Sequence, residues 1–300
     1  MEKQGYCSGF ISIIGCPNVG KSTLLNRLVG QKVAIVSQRP QTTRNKITGV
    51  LTRPGYQMVF LDTPGVAAAK NRLGDYMLRV AYEALNEVEA ILFLVDPING
   101  LRDRDMALVE RLKQAKGAPR VGVINKADAA SMAQMDTARE FLQQAGCFEK
   151  IISISAQTGE GVDQLEALLR GYLVEGPQYF PEDMVTDQPE RIVCAELIRE
   201  KTLQLLREEV PHGVGVWIDK MEARPEGGMM DVWATIYCER DGYKGIIIGK
   251  QGAMLKKIGQ AARQDMEWML GARVNLQLWV KVKEDWRNSL GMLRELGYES

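Results

Sequence analysis

The sequence predicts an α/β domain with a doubly wound, mostly parallel sheet, followed by a smaller α+β domain. Three observations carry this. Short apolar runs alternate with helix-period segments through the first half of the chain. A Gly-x-x-x-x-Gly-Lys-Ser run stands between the first strand-like and the first helix-like segment. Beyond a Pro- and Gly-bearing stretch the rhythm changes to one helix, two alternating strands, a pair of helices and a last alternating strand.

The first element is the apolar run Phe10–Ile14. It feeds Gly15-Cys16-Pro17-Asn18-Val19-Gly20-Lys21-Ser22, and a helical segment, Lys21–Val29, leaves it. Glycines let backbone N–H groups turn inward, the helix start adds partial positive charge, and the lysine reaches the β/γ-phosphates of a nucleotide. Gly15 to Ser22 and the adjoining Thr23 are therefore the expected phosphate cradle, with the Ser22 hydroxyl placed for Mg²⁺.

Gln31–Arg44 is a polar loop before the expected strands Lys46–Leu51 and Gln57–Leu61. Thr42 or Thr43 on it offers a hydroxyl to Mg²⁺ and an N–H to the γ-phosphate, a contact that orders such a loop in one nucleotide state. Asp62-Thr63-Pro64-Gly65 closes the second of these strands: Asp62 is placed to hold Mg²⁺, and the Gly65 N–H to approach the γ-phosphate. A helix is expected over Tyr76–Val88, a fully buried parallel strand over Ala90–Val95, a helix over 103–115 and a strand over Arg120–Ile124.

That strand runs into Asn125-Lys126-Ala127-Asp128. Guanine presents N1–H and N2–H₂, two donors that one carboxylate accepts together, whereas adenine has an acceptor at N1. Asp128 thus reads guanine, while Asn125 braces the loop and reaches the purine N7, at the strand end where such folds bind ligand. Strand Lys150–Ile154 leads to Ser155-Ala156, whose Ala156 N–H is expected to meet guanine O6.

Composition sets limits. Apolar content of 45% with 25% charge is ordinary for a globular chain of two domains. Thirty-eight basic residues balance thirty-eight acidic ones, so any nucleic-acid surface must be local. The five cysteines (Cys7, Cys16, Cys147, Cys194, Cys238) show no C-x-x-C pair, which removes the case for a zinc site or a disulfide framework and points to a reducing cytoplasm. No signal-peptide pattern opens the chain, and Ala90–Val95, the longest apolar run, is far too short to span a bilayer. A monomer is expected, and a peripheral contact with the cytoplasmic face of the membrane stays open.

Residues 1–172 are read as the nucleotide domain, 173–189 as a linker carrying Gly176, Pro177, Pro181 and Pro189, and 190–300 as the second domain. In the latter, a helix over Glu190–Glu209 precedes strands Val214–Met221 and 232–238, joined by the turn at 225–228, and the strand Val274–Val282 comes last. Between them lies Ile248-Gly249-Lys250-Gln251-Gly252, then a helix over Ala253–Leu270. Two glycines let a sugar-phosphate backbone approach, and Lys250 meets a phosphate. From Gly242 to Gln264 the chain carries Lys244, Lys250, Lys256, Lys257 and Arg263 and no acidic residue, so the basic charge is placed rather than general. Lys281 and Lys283 extend it. The five tryptophans are read mainly as packing residues, and His212 is assigned no chemistry.

Taken together, these motifs resemble a translation-factor-type small GTPase with a Ras-like fold, and more closely the Era family of ribosome-assembly GTPases. Gly15-x-Pro17-Asn18-Val19-Gly20-Lys21-Ser22, Gln41-Thr42-Thr43-Arg44 and Asp62-Thr63-Pro64-Gly65 carry the match, with a second half resembling a KH type II domain. Cys16 stands where that family more often has Arg. The resemblance implies Mg²⁺-dependent GTP hydrolysis, GTP and GDP as ligands, and binding of 16S ribosomal RNA near its 3′ end during maturation of the 30S subunit. Val66 occupies the place of the water-orienting Gln of many small GTPases, which implies slow turnover. Relatives with the Pro-Asn pattern use that asparagine, here Asn18, to help hold K⁺ beside the phosphates. Two other readings stay open: a P-loop kinase of a small molecule, and an RNA-binding module in which the nucleotide is structural.

Overall fold

The computed structural model describes residues 5–101, 103–114, 117–225 and 227–298. Three expectations fall on other positions: the helix end at Ala115, Glu226 of the predicted turn, and the opening Met1–Gln4 lie outside the described residues. Two compact units form. The first takes the chain to Val36, then Thr43–Ala68 and Met77–Asp187; the second takes Ser37–Thr42, Ala69–Tyr76 and the chain from Gln188 onward.

In chain order the first half gives β1 (Cys7–Gly15), α1 (Lys21–Val29), β2 (Ile47–Arg53), β3 (Tyr56–Asp62), α2 (Arg72–Glu83), β4 (Ala90–Val95), α3 (Asp103–Gln114), β5 (Arg120–Ile124), α4 (Met132–Ala145), β6 (Lys150–Ser153), α5 (Val162–Arg170) and β7 (Val174–Glu175). The sheet runs β2-β3-β1-β4-β5-β6, with β7 beside β1. β2 is antiparallel to β3 and β7 to β1; the other neighbours are parallel. All six residues of β4 are buried, as a parallel strand covered on both faces requires. The chain leaves β1 toward β3 on one side and β4 on the other, so the crevice beyond its carboxyl end lies where the strand order reverses. Gly15–Ser22 hangs there.

Two features depart from expectation. Helix α4 was not foreseen, although a capping box starts it: Ser131 Oγ accepts from the Gln134 N–H, and Gln134 Oε1 accepts from the Ser131 N–H at 2.9 Å. The stretch expected to be a linker is instead strapped to the first unit. Buried Gln57 accepts from the N–H groups of Tyr179 and Phe180 and donates to the Phe180 carbonyl at 2.9 Å. Thr186 Oγ1 donates to the Thr48 carbonyl at 2.7 Å, and the Val50 N–H donates to the Val185 carbonyl. Its prolines keep it out of regular helix, but its backbone groups find partners along the sheet edge.

The second unit gives α6 (Glu190–Leu205), β8 (Gly215–Ala223), β9 (Met229–Cys238), α7 (Asp241–Ile248), α8 (Ala253–Leu270), β10 (Arg273–Val282) and α9 (Leu290–Glu295). Its sheet runs β10-β9-β8, with β9 parallel to β10 and antiparallel to β8. Alternation sends Val232, Ala234, Ile236, Val274 and Val280 inward, where Ile198, Ile258 and Met266 are buried too. Trp286 is fully buried and its Nε1 donates to the Gly213 carbonyl, whereas Trp268 and Trp279 are exposed.

Candidate functional site

The phosphate loop is shaped before any ligand arrives. The α1 N-terminus has no side-chain cap, so its first N–H groups remain for an anion. Lys21 is buried, and its Nζ donates to the carbonyls of Gly15 and Cys16 at 3.2 and 3.1 Å. Burial lowers the ammonium's pKa, while Asp62 and Cys16 act against that shift. The loop thus wraps its own lysine, leaving the cation beneath the cradle. Burial, with Asp105 beside it, pushes the Cys16 thiol up to about 12, so this loop position carries no thiolate chemistry.

Ser22, Thr43 and Asp62 converge. Ser22 Oγ lies 2.6 Å from Asp62 Oδ2 and 2.9 Å from Thr43 Oγ1, and Thr43 Oγ1 is 3.5 Å from Asp62 Oδ2. Asp62 is fully buried, and its Oδ1 has no hydrogen-bond partner. Burial raises its carboxyl to about 6 against the pull of Lys21, Ser22, Thr43 and the Thr63 N–H. A buried carboxylate with an unsatisfied oxygen beside two hydroxyls is a hard-oxygen set, and Mg²⁺ fits it. Once bound, the ion neutralises charge on phosphate oxygens.

The two threonines left as alternatives lie differently in the structure, and Thr42 stands apart from the cluster. Its hydroxyl donates to the Arg39 carbonyl at 2.6 Å, and its own carbonyl accepts from the guanidinium of Arg199. Of the two, only Thr43 joins the cluster, through its contacts with Ser22 and Asp62. Thr63 Oγ1 donates to the Ile13 carbonyl at 2.8 Å and fixes the turn after β3. A Cβ on Gly65 would stand 2.7 Å from Pro17 Cα, so the two loops touch backbone to backbone. Asn18, exposed with φ 68°, sits at the loop's tip.

At the base-reading corner, Asn125 is buried and both ends of its amide are used: Nδ2 donates to the Val19 carbonyl at 2.8 Å, and Oδ1 accepts from the Ala156 N–H at 2.9 Å. Asn125 is therefore a brace between two loops, and the Ala156 N–H expected for guanine O6 is engaged by it. Ser155 Oγ accepts from the Thr158 N–H and shapes the same loop. Asp128 is exposed on the turn after β5. Lys126 reaches Asp96, a residue not foreseen, at 2.5 Å. Burial works against the Asp96 carboxylate, but Lys126, Asn99 and the Ile98 N–H lower its pKa overall. An aspartate directly after the buried strand β4 was the available signal.

In the second unit, Gly249 (φ 71°), Gln251 (φ 52°) and Gly252 (φ 80°) turn the chain sharply between α7 and α8. A Cβ on Gly249 would meet Met254 Cβ at 2.8 Å. Beside this turn runs an open groove of about 570 Å³ between α8 and β10, with Leu255, Gly259, Leu276 and Leu278 along it and Lys256, Gln260 and Arg263 as polar lining. Apolar lining with flanking cations suits unstacked bases on a phosphate backbone. Lys250 and Lys257 are exposed and Lys244 partly so, and none of the three lines the groove. The groove's apolar members were missed; Gly259 inside a helix was their one sequence sign.

A phosphate loop, an oxygen cluster for Mg²⁺ and a base-reading corner on a doubly wound sheet, with a Gly-x-x-Gly groove in a second unit, define a P-loop GTPase carrying a KH module. Family models agree: residues 10–126 match that described as 50S ribosome-binding GTPase and residues 209–287 that of the KH domain. GTPase Era of Alkaliphilus metalliredigens is 50% identical over 99% of this chain and 100% of its own length, and that of Clostridioides difficile 51% identical over 97% and 98%. The crystal structure of Era with MgGDPNP and nucleotides 1506–1542 of 16S ribosomal RNA matches with a TM-score of 0.94, at 40% identity over 98% of this chain and 100% of that one. An Aquifex aeolicus Era variant bound to GDP·AlF4⁻ matches at 0.93 and 40% identity, over 98% of this chain and 100% of that one. This chain belongs to the Era family of GTPases.

Proposed function

We propose that this protein is a GTP-hydrolysing switch that binds 16S ribosomal RNA near its 3′ end and assists assembly of the small ribosomal subunit. One observation carries the reading: a single chain joins the Ser22–Thr43–Asp62 cluster above buried Lys21 to a basic-rimmed groove behind Gly249–Gly252. The wider GTPase family is described by a large-subunit role, but the full-length structural relative holds small-subunit RNA, and similarity through both units favours the latter.

In this reading Lys21 and loop N–H groups stabilise charge on the transferred phosphoryl group, Ser22, Thr43 and Asp62 hold Mg²⁺, and Gly65 senses the γ-phosphate. Asp128 reads the guanine edge and Asn18 helps hold K⁺. Lys250, Lys256 and Arg263 meet the RNA backbone. Nucleotide chemistry is assigned to residues 1–172 and RNA binding to 190–300, with 173–189 between. The chain returns from the second unit to the first between Thr42 and Thr43, so Thr43 directly follows a segment grouped with the RNA-binding half. A ribosomal partner supports a cytoplasmic location; no helix among the described residues is long and apolar enough to cross a membrane. The test is affinity for a 16S 3′-end RNA with GDPNP or GDP bound, alongside single-turnover GTP hydrolysis with and without that RNA. Nucleotide-dependent affinity is expected; equal affinities with no hydrolysis would make the nucleotide a structural ligand.

A further inference from the structure

We propose that Arg27 is a positioning residue for guanine selectivity, fixing the aim of the Gln157 N–H in the loop that reads the purine O6. This rests on the guanine-binding reading above. Arg27 lies in the last turn of α1, the helix that begins with Lys21 and Ser22. Its Nε donates to the Ala156 carbonyl at 3.3 Å and its Nη2 to the Gln157 carbonyl at 2.5 Å. A Cβ on Gly159 (φ 95°) would lie 3.8 Å from the guanidinium carbon, in van der Waals contact. The loop from Ser155 to Gly159 therefore curls around one guanidinium.

Peptide planarity gives this grip a consequence. The Gln157 N–H is trans to the Ala156 carbonyl, so a cation holding that carbonyl turns the N–H the opposite way. The Ala156 N–H, one peptide earlier, points at Asn125 Oδ1. Arg27 from one side and Asn125 from the other thus fix how two successive N–H groups of the loop are aimed. Because Arg27 and Lys21 share a helix, the phosphate cradle and the O6-reading loop are set at a fixed spacing. A guanidinium's planar fork suits two neighbouring carbonyls, which a lysine cannot match.

The experiment measures the affinities of Arg27→Ala, Arg27→Lys and the unaltered full chain for GDP, 6-thio-GDP and IDP, with thermal midpoints alongside. 6-thio-GDP replaces the acceptor at position 6 by a larger and weaker one and keeps the 2-amino group; IDP keeps O6 and lacks the 2-amino group. In Arg27→Ala the preference for GDP over 6-thio-GDP should shrink about fivefold, since the brace is exposed and acts on the purine only through the loop it holds. The preference for GDP over IDP, read by Asp128, should hold within about twofold. Arg27→Lys should fall between the two proteins and serves as the measurement if Arg27→Ala does not fold. An unchanged GDP to 6-thio-GDP ratio, or equal shrinkage of both ratios, overturns the proposal. Failure of the unaltered chain to bind GDP would instead overturn the guanine-binding reading itself.

Discussion

Ser22 Oγ donates to Asp62 Oδ2 at 2.6 Å, joining the first turn of α1 to the end of β3. That bond satisfies half of a buried carboxylate whose other oxygen has no partner. Its raised pKa, about 6 against an ordinary 3.8, means that the folded protein binds its proton more tightly than the unfolded chain does. The associated stability is fully present below pH 3.8 and is lost as pH rises through about 6, at a cost of about 3 kcal/mol to the ligand-free fold. Asp62→Asn should therefore raise the ligand-free melting temperature at pH 7.5 by several degrees while abolishing the extra stabilisation that Mg²⁺ adds to GDP. In the unaltered protein that Mg²⁺ increment should shrink between pH 7.5 and 5.5. Thermal scans at both pH values, with and without Mg²⁺, check it.

Lys21 offers the complementary case. Its ammonium is buried among carbonyls, and burial lowers its pKa. Lys21→Met removes a desolvated charge, so the ligand-free fold should persist while GDP affinity falls by about 100-fold, the scale of a charge-assisted contact of roughly 3 kcal/mol. Calorimetric titration with GDP measures the loss, and circular dichroism confirms the fold.

Gly65 tests the γ-phosphate contact. An alanine there would place its Cβ 2.7 Å from Pro17 Cα and 2.9 Å from Pro17 N, so backbone must move. Affinity for GDPNP should fall by about tenfold or more in Gly65→Ala, and by more than affinity for GDP, because on the proposed reading this loop meets the γ-phosphate that GDP lacks. Competition binding of the two nucleotides gives the ratio directly.

Much of this was legible because the chemistry is local. Gly15 to Ser22, Asn125 to Asp128 and Gly249 to Gly252 each carry their function in a few consecutive residues, and strict alternation in β10 or continuous burial in β4 declares a strand without tertiary help. What stayed hidden depends on partners far along the chain. Thr42 and Thr43 are equivalent on paper; a left-handed Gln41 (φ 63°) just before them belongs to the turn that separates their directions. Asp96 meets Lys126 only because β4 and β5 are parallel neighbours. The strap after α5 looks like a linker until Gln57 on β3 takes up its N–H groups.

With Val66 in place of a water-orienting glutamine, a cation near the phosphates is the remaining source of charge that the sequence offers. Exchanging K⁺ for Na⁺ at constant ionic strength should slow single-turnover hydrolysis by about tenfold, and Asn18→Ala should erase the difference between the two salts. Equal rates in both salts for the unaltered protein would remove K⁺ from the scheme.

The groove separates two kinds of contribution. Lys256 and Arg263 line it and, on the proposed reading, meet phosphates, so each alanine variant should weaken binding of a 16S 3′-end RNA and flatten the dependence of log affinity on log salt by about 0.7, the single-strand value per phosphate neutralised. Gly249 acts through shape: at φ 71°, with Met254 Cβ 2.8 Å from an added Cβ, Gly249→Asp displaces the turn and brings an anion to it. Its affinity should drop at every salt concentration. Gly249→Ala carries the same steric conflict without the charge, so it should lower affinity while leaving the salt slope unchanged. Filter binding between 50 and 300 mM KCl, roughly the range where counterion release dominates, distinguishes a lost charge from a lost shape.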